Sequence, residues 1–199
     1  VYKRQQEAPS AFEATFIRGA QVYSNKVQRA QDLNEKKALL DSLMMIYDLR
    51  VQYFPSSPNY GTAYVLDRKA REYLTFNPSD REGVRKLYKE AIEAGLQSGY
   101  AALPDVALVY FSNLCDDYKM GEVYPDAVLD EYARLAPIFE SDAPGVKEAK
   151  TQFDTCFAGS GAADCENLEK MFRPRIEAAP EDMELLKPVS YTHLTLPTI

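Results

Sequence analysis

The sequence predicts an all-α fold in which antiparallel helix pairs stack in series. Three observations carry this. Apolar residues recur at helical spacing along most of the chain, bounded by caps and by proline or glycine breakers. No stretch alternates apolar and polar residues as a half-buried strand does. Every second predicted helix carries an aliphatic residue with an aromatic four positions on: Leu43/Tyr47, Val84/Tyr88, Val128/Tyr132 and Leu168/Phe172. These pairs return at intervals of about 40 residues, the period of a two-helix repeat. One helix pair cannot cover its own apolar face, so the next pair must cover it. A non-repeating helical bundle is the alternative that the same spacing allows.

The elements follow in order. In "SAFEATFIRGAQVYSNKVQRA" Ser10 and Glu13 form a capping-box pattern, and Phe12, Phe16, Ala20, Tyr23 and Val27 mark one face. The second helix opens at Asp32 with Glu35, carries Leu39, Leu40, Leu43, Ile46, Tyr47, Val51 and Phe54, and breaks at "PSSPNYG". The third runs from about Thr62 to Phe76. Ser79 with Glu82 offers a cap for the fourth, and Gly95 offers it a left-handed stop. The fifth runs from near Pro104 to Lys119. The sixth opens at Tyr124 with Pro125, whose missing N–H is harmless in a first turn, and Pro137 is expected to kink it before Glu140. The seventh spans Val146 to Phe157, and Gly159 and Gly161 separate it from an eighth, about Asp164 to Ala178, which Pro174 disturbs. "PEDMELLK" reads as the start of a ninth.

Both ends fall outside this pattern. "VYKRQ" (Val1–Gln5) and "VSYTHLTLPTI" (Val189–Ile199) resemble sequencing adapter translated from opposite strands. Segments of that kind are set aside before fold reasoning. The expectation is that 1–5 and 189–199 are not native and that 6–188 is a piece of a longer protein. Its units cover about 6–57, 58–98, 99–142 and 143–180, with a truncated helix over 181–188.

Composition narrows the function. The 46% hydrophobic and 27% charged shares are those of a globular chain. The formal charge is −7, and two units more negative without Lys3 and Arg4. No basic stripe offsets this acidity, so nucleic acid is not an expected partner. No apolar run approaches the ~20 residues of a membrane span. Three cysteines are present. Cys156 and Cys165 bracket the small-residue loop "CFAGSGAADC", which suits either a disulfide or two buried thiols. Cys115 reads as a core residue.

Two units are similar to tetratricopeptide repeats: Ala70-x-x-Tyr73 followed by Val84-x-x-x-Tyr88-x-x-Ala91, and Cys115-x-x-Tyr118 followed by Val128-x-x-x-Tyr132-x-x-Leu135. The small residue lets paired helices approach, and the aromatics fill the seam. The turns are longer than usual, the first unit has longer helices, and the fourth keeps only the second-helix pattern. More widely, "LMMIYDLRVQYF", "YVLDRKAREYL" and "SGAADCENLEKMFRPRIEAAPEDMELLK" resemble a tetratricopeptide-type family of Bacteroidetes. That resemblance implies a right-handed solenoid, a cell-envelope location on the periplasmic side and further helical repeats downstream, and it favours a Cys156–Cys165 disulfide over two free thiols. It supplies no catalytic residues.

Catalytic signals are weak. The one histidine, His193, lies in the C-terminal stretch. Without it there is no Ser-His or Cys-His pair. "GSGAAD" lacks the lysine and the preceding strand of a phosphate loop. In "CDDYK" the adjacent aspartates splay about 100° apart on a helix, against a shared metal. No cofactor or metal is predicted. The chain therefore reads as a non-enzymatic helical-repeat scaffold for a protein or peptide partner. The resemblance places the first helix of each unit along a groove, which points Tyr64, Asp67 and Arg71, then Ser112, Asp116 and Lys119, at that partner. Ordinary exposed helix positions would look the same. The second reading is a glycan-binding envelope lipoprotein, suggested by the many tyrosines. Most of these sit at core spacing, and tryptophan is absent.

Overall fold

The computed structural model describes residues 12–56, 60–141 and 145–164, and among these the chain is all-helical with no strand. Seven α-helices follow one another: α1 Glu13–Arg29, α2 Leu33–Tyr53, α3 Thr62–Phe76, α4 Arg81–Ser98, α5 Leu103–Lys119, α6 Pro125–Leu135 and α7 Val146–Ser160. A 3₁₀ turn, Ala136–Phe139, continues α6. The chain divides into two compact units, Val1–Val106 and Ala107–Ile199.

In the first unit consecutive helices pack on one another, α1 on α2, α2 on α3 and α3 on α4, and short connections make neighbours antiparallel. Phe16, Ala20 and Val27 of α1 meet Leu40, Leu43, Ile46 and Tyr47 of α2, and Val65 of α3 closes the cluster. The α3–α4 pair is built the same way, with Ala70 of α3 and Val84, Tyr88 and Ala91 of α4 buried. The repeat pairs Leu43/Tyr47 and Val84/Tyr88 thus occupy equivalent buried places on successive second helices. This is the helical-repeat character that the spacing predicts.

In the second unit Val128 and Tyr132 of α6 are buried likewise. The Tyr132 ring stacks on Phe157 at 3.9 Å and lies parallel to Phe153 at 4.8 Å, while Phe111 and Phe139 close on Phe153 at 4.4 and 4.5 Å. The fourth pair, Leu168/Phe172, lies outside the described residues, as do the predicted eighth and ninth helices, Pro174 and both terminal stretches.

The helix ends show where local chemistry decides. Asp32 caps α2, accepting from the Glu35 N–H at 2.8 Å. Helix α1 begins at Glu13 behind an extended Phe12; Ser10, the other half of the expected capping box, lies outside the described residues. Asp80, not Ser79, caps α4: its Oδ1 accepts from the Gly83 N–H at 3.0 Å and its Oδ2 accepts from the Tyr73 hydroxyl. A carboxylate bonded to α3 as well as to the helix start displaces the neighbouring hydroxyl. Gly95 does not end α4. It lies within the helix, where its missing Cβ leaves room for Leu103 (an added Cβ would stand 2.7 Å from Leu103 Cδ1), and the left-handed cap is Gly99, at φ +65°. Pro137 turns the end of α6 into 3₁₀ rather than bending a continuous helix. Gly159 lies inside α7, and Gly161, at φ +84°, caps it.

Candidate functional site

A cleft of about 350 Å³ opens among α1, α2 and α3 of the first unit. Helix α1 contributes a wall that is apolar at Ile17 and Ala20 and polar at Gln21, Ser24 and Asn25. Helix α2 supplies Tyr47 and Arg50. Helix α3 supplies Tyr64, Arg68 and Glu72, an i, i+4, i+8 row that shares one face. The size falls at the lower end of the range for small-molecule sites, room for one side chain or a short chain end rather than a dinucleotide.

The charges in this cleft differ in how well they are satisfied. Arg50 is 4% exposed and donates from Nε and Nη2 to Glu13 Oε1 at 3.1 and 2.9 Å. Its guanidinium also lies 5.5 Å from the centre of the Tyr60 ring, which packs on Tyr64 at 4.9 Å. Arg68 is half exposed and approaches Glu72 Oε1 only to 3.7 Å. The hydroxyls of Tyr47 and Ser24 lie beside the Glu72 carboxyl, yet Glu72 Oε2 is shut from solvent and has no hydrogen-bond partner. Burial is the largest influence on this carboxyl and raises its pKa above the usual range, although the neighbouring hydroxyls and Arg68 pull the other way. Burial, with Glu72 alongside, also drives the Tyr47 pKa well up, so Tyr47 stays neutral.

The residues singled out in the sequence are distributed differently from one another. Tyr64 lines the cleft. Asp67 is 5% exposed and engaged: its Oδ1 accepts from Arg71 Nε at 2.6 Å and its Oδ2 from the Tyr100 hydroxyl at 3.2 Å. Burial pushes the Tyr100 pKa up to about 12, and the Asp67 charge adds to this. Arg71 is half buried on the same side of α3. In the second unit Asp116 and Lys119 are exposed on α5, 3.7 Å apart, and Ser112 is half buried with its Oγ accepting from the Cys156 thiol at 3.5 Å. Arg68 and Glu72 escaped sequence reading, which followed the i+3 and i+7 positions from Tyr64 instead of i+4 and i+8. The signal was present as the Arg68–Glu72 pair, but such pairs usually mark a solvated face.

Cys115 is buried, and burial pushes its thiol pKa well above the usual range. A Cys156–Cys165 pairing falls outside the described residues, since Cys165 is not among them. Among the described residues no three His, Cys, Asp or Glu side chains converge as a metal set, and no helix is long and apolar enough to cross a membrane. No protein-family model, curated protein or solved structure matches the chain.

Proposed function

We propose that this chain is a non-catalytic helical-repeat module that binds a protein or peptide partner, with the α1–α2–α3 cleft as the seat for one of the partner's groups. The supporting observation is the cleft itself, where Tyr47 and Arg50 of α2 and Tyr64, Arg68 and Glu72 of α3 stand opposite the apolar and amide side chains of α1 around one opening of about 350 Å³. A concave wall that mixes apolar side chains with a few polar groups is the usual form of a ligand seat. The cell envelope is the compartment that the family resemblance implies.

A second reading, a glycan ligand, draws on the Tyr60–Tyr64 ring pair beside the amides of Gln21 and Asn25. Panning a random peptide display library against the chain separates the two. The proposal expects enriched peptides whose binding falls when Tyr64 or Arg68 is replaced by alanine. No peptide enrichment, together with binding on a glycan array that the same variants abolish, would establish the second reading instead. Alanine at Arg71 and at Asp116 tests whether the helix faces predicted from sequence join the contact.

A further inference from the structure

We infer that Cys115 and Cys156 are the two halves of one disulfide, formed between α5 and α7 when the chain meets a disulfide oxidant. The inference is independent of any ligand in the cleft, since both residues belong to the second unit. Both side chains are thiols in this structure, Cys115 buried and Cys156 half-buried. The packing brings them together. Phe111 of α5 lies 4.4 Å from Phe153 and 6.4 Å from Phe157 of α7, which lays this stretch of α5 against α7. Cys115 stands one turn beyond Phe111, and Cys156 three residues beyond Phe153, so both fall on the faces that meet. The Cys156 thiol donates to Ser112 Oγ at 3.5 Å, and Ser112 lies three residues before Cys115 on α5. The two thiols also stand within hydrogen-bonding reach of each other.

A disulfide forms readily only where two cysteines already face each other, because bridging more distant ones requires backbone movement. Exposure sets the order of the steps. Cys156 is the thiol that an oxidant reaches. Its thiolate attacks one sulfur of a small-molecule disulfide such as oxidised glutathione; that S–S bond breaks, a mixed disulfide forms on Cys156 and one thiolate leaves. Cys115 then gives up its proton, and its thiolate attacks Cys156 Sγ and expels the second thiolate. The two cysteines lose two electrons to the oxidant, and the two leaving thiolates take up the two protons released. Burial holds Cys115 protonated and its pKa well above the usual thiol range, so this second step is the slow one. The competing partner for Cys156 is Cys165, nine residues on in the chain. That bridge would close a short local loop. A Cys115–Cys156 bridge closes one of about 40 residues and removes more freedom from the unfolded chain.

Incubating the folded full chain with oxidised glutathione, alkylating the remaining thiols and digesting without reductant tests this by mass spectrometry. The expected product is a peptide pair joined through Cys115 and Cys156, formed in the unaltered chain and equally in Cys165→Ser. Oxidation is expected to raise Tm by about 5–10 °C, a gain that reductant reverses and that Cys115→Ala lacks. A Cys156–Cys165 link in the unaltered chain would overturn the assignment. So would a glutathione adduct on Cys156 that never passes to Cys115, or a chain that stays fully reduced. The mapping uses the unaltered protein, so it holds even if a variant fails to fold.

Discussion

Arg50 on α2 places Nε and Nη2 on one oxygen, Oε1 of Glu13, and so ties the first turn of α1 to the last turn of α2. The pair is separated by 37 residues in sequence, and the arginine is almost wholly buried. Removing one member leaves the other's charge in a poorly solvated place. Glu13→Ala is therefore expected to cost about 3 kcal/mol, measured as a lower urea midpoint. Replacing both residues by apolar ones is expected to cost much less, since no uncompensated charge then remains. Equal losses for the single and double variants would contradict this account of the contact.

Glu72→Gln is expected to raise stability at neutral pH, because burial penalises the Glu72 charge. The folded-state pKa of Glu72 is raised, so ionisation opposes folding: its contribution is most favourable below the ordinary value of 4.5 and is lost as pH rises above it. The charged and titratable groups facing it are Arg68 from α3 and Tyr47 and Arg50 from α2; α1 presents only the uncharged Gln21, Ser24 and Asn25. At neutral pH the glutamine variant is expected to be about 1 kcal/mol more stable, a rise of about 2–4 °C in Tm. Its stability should also depend less on pH above 4.5. A destabilised variant with unchanged pH dependence would show that Glu72 is satisfied in the free protein.

Gly95 and Leu103 form a coupled pair. An added Cβ at Gly95 meets Leu103 Cδ1 at 2.7 Å. Gly95→Ala gains about 1 kcal/mol of helix propensity and loses about 1–3 kcal/mol to overpacking, a net loss. In a Leu103→Ala background the same change is expected to stabilise by about 1 kcal/mol, so the double-mutant cycle shows strong coupling. Gly99→Ala, at φ +65°, is expected to cost about 1 kcal/mol in either background.

In the second unit Phe153 stands at the centre of the ring cluster, 4.4–4.8 Å from Phe111, Phe139 and Tyr132. Phe153→Ala is expected to cost about 3–5 kcal/mol and Phe153→Leu clearly less, both read from urea midpoints. Tyr132→Phe removes the 3.0 Å bond from its hydroxyl to Asp154 Oδ1 and is expected to cost about 1 kcal/mol.

The helices were legible because their faces are periodic: Leu43/Tyr47, Val84/Tyr88 and Val128/Tyr132 all fall where the spacing puts them, buried on second helices. The Asp32 cap was legible for the same local reason. Gly95 was misread as a stop because its role is set by Leu103, which approaches only once the chain has turned back. Asp80 displaced Ser79 because Tyr73, on the preceding helix, donates to it. The cleft was half legible. Tyr64 stood out as an aromatic on a first helix, whereas Arg68 and Glu72 looked like a solvated i,i+4 pair. Their difference from such a pair lies in Tyr47 and Ser24, which come from two other helices. Burial of one carboxylate oxygen is a tertiary fact, and helical spacing carries no trace of it.

The most direct test of the cleft as the binding seat is a backbone-amide NMR titration of the chain with a display-selected peptide. The account predicts that the largest shifts fall on residues 17–25 of α1, 47–50 of α2 and 64–72 of α3. Saturable binding whose shifts leave those three stretches unmoved and gather elsewhere, for instance on the α5 face bearing Asp116 and Lys119, would contradict it.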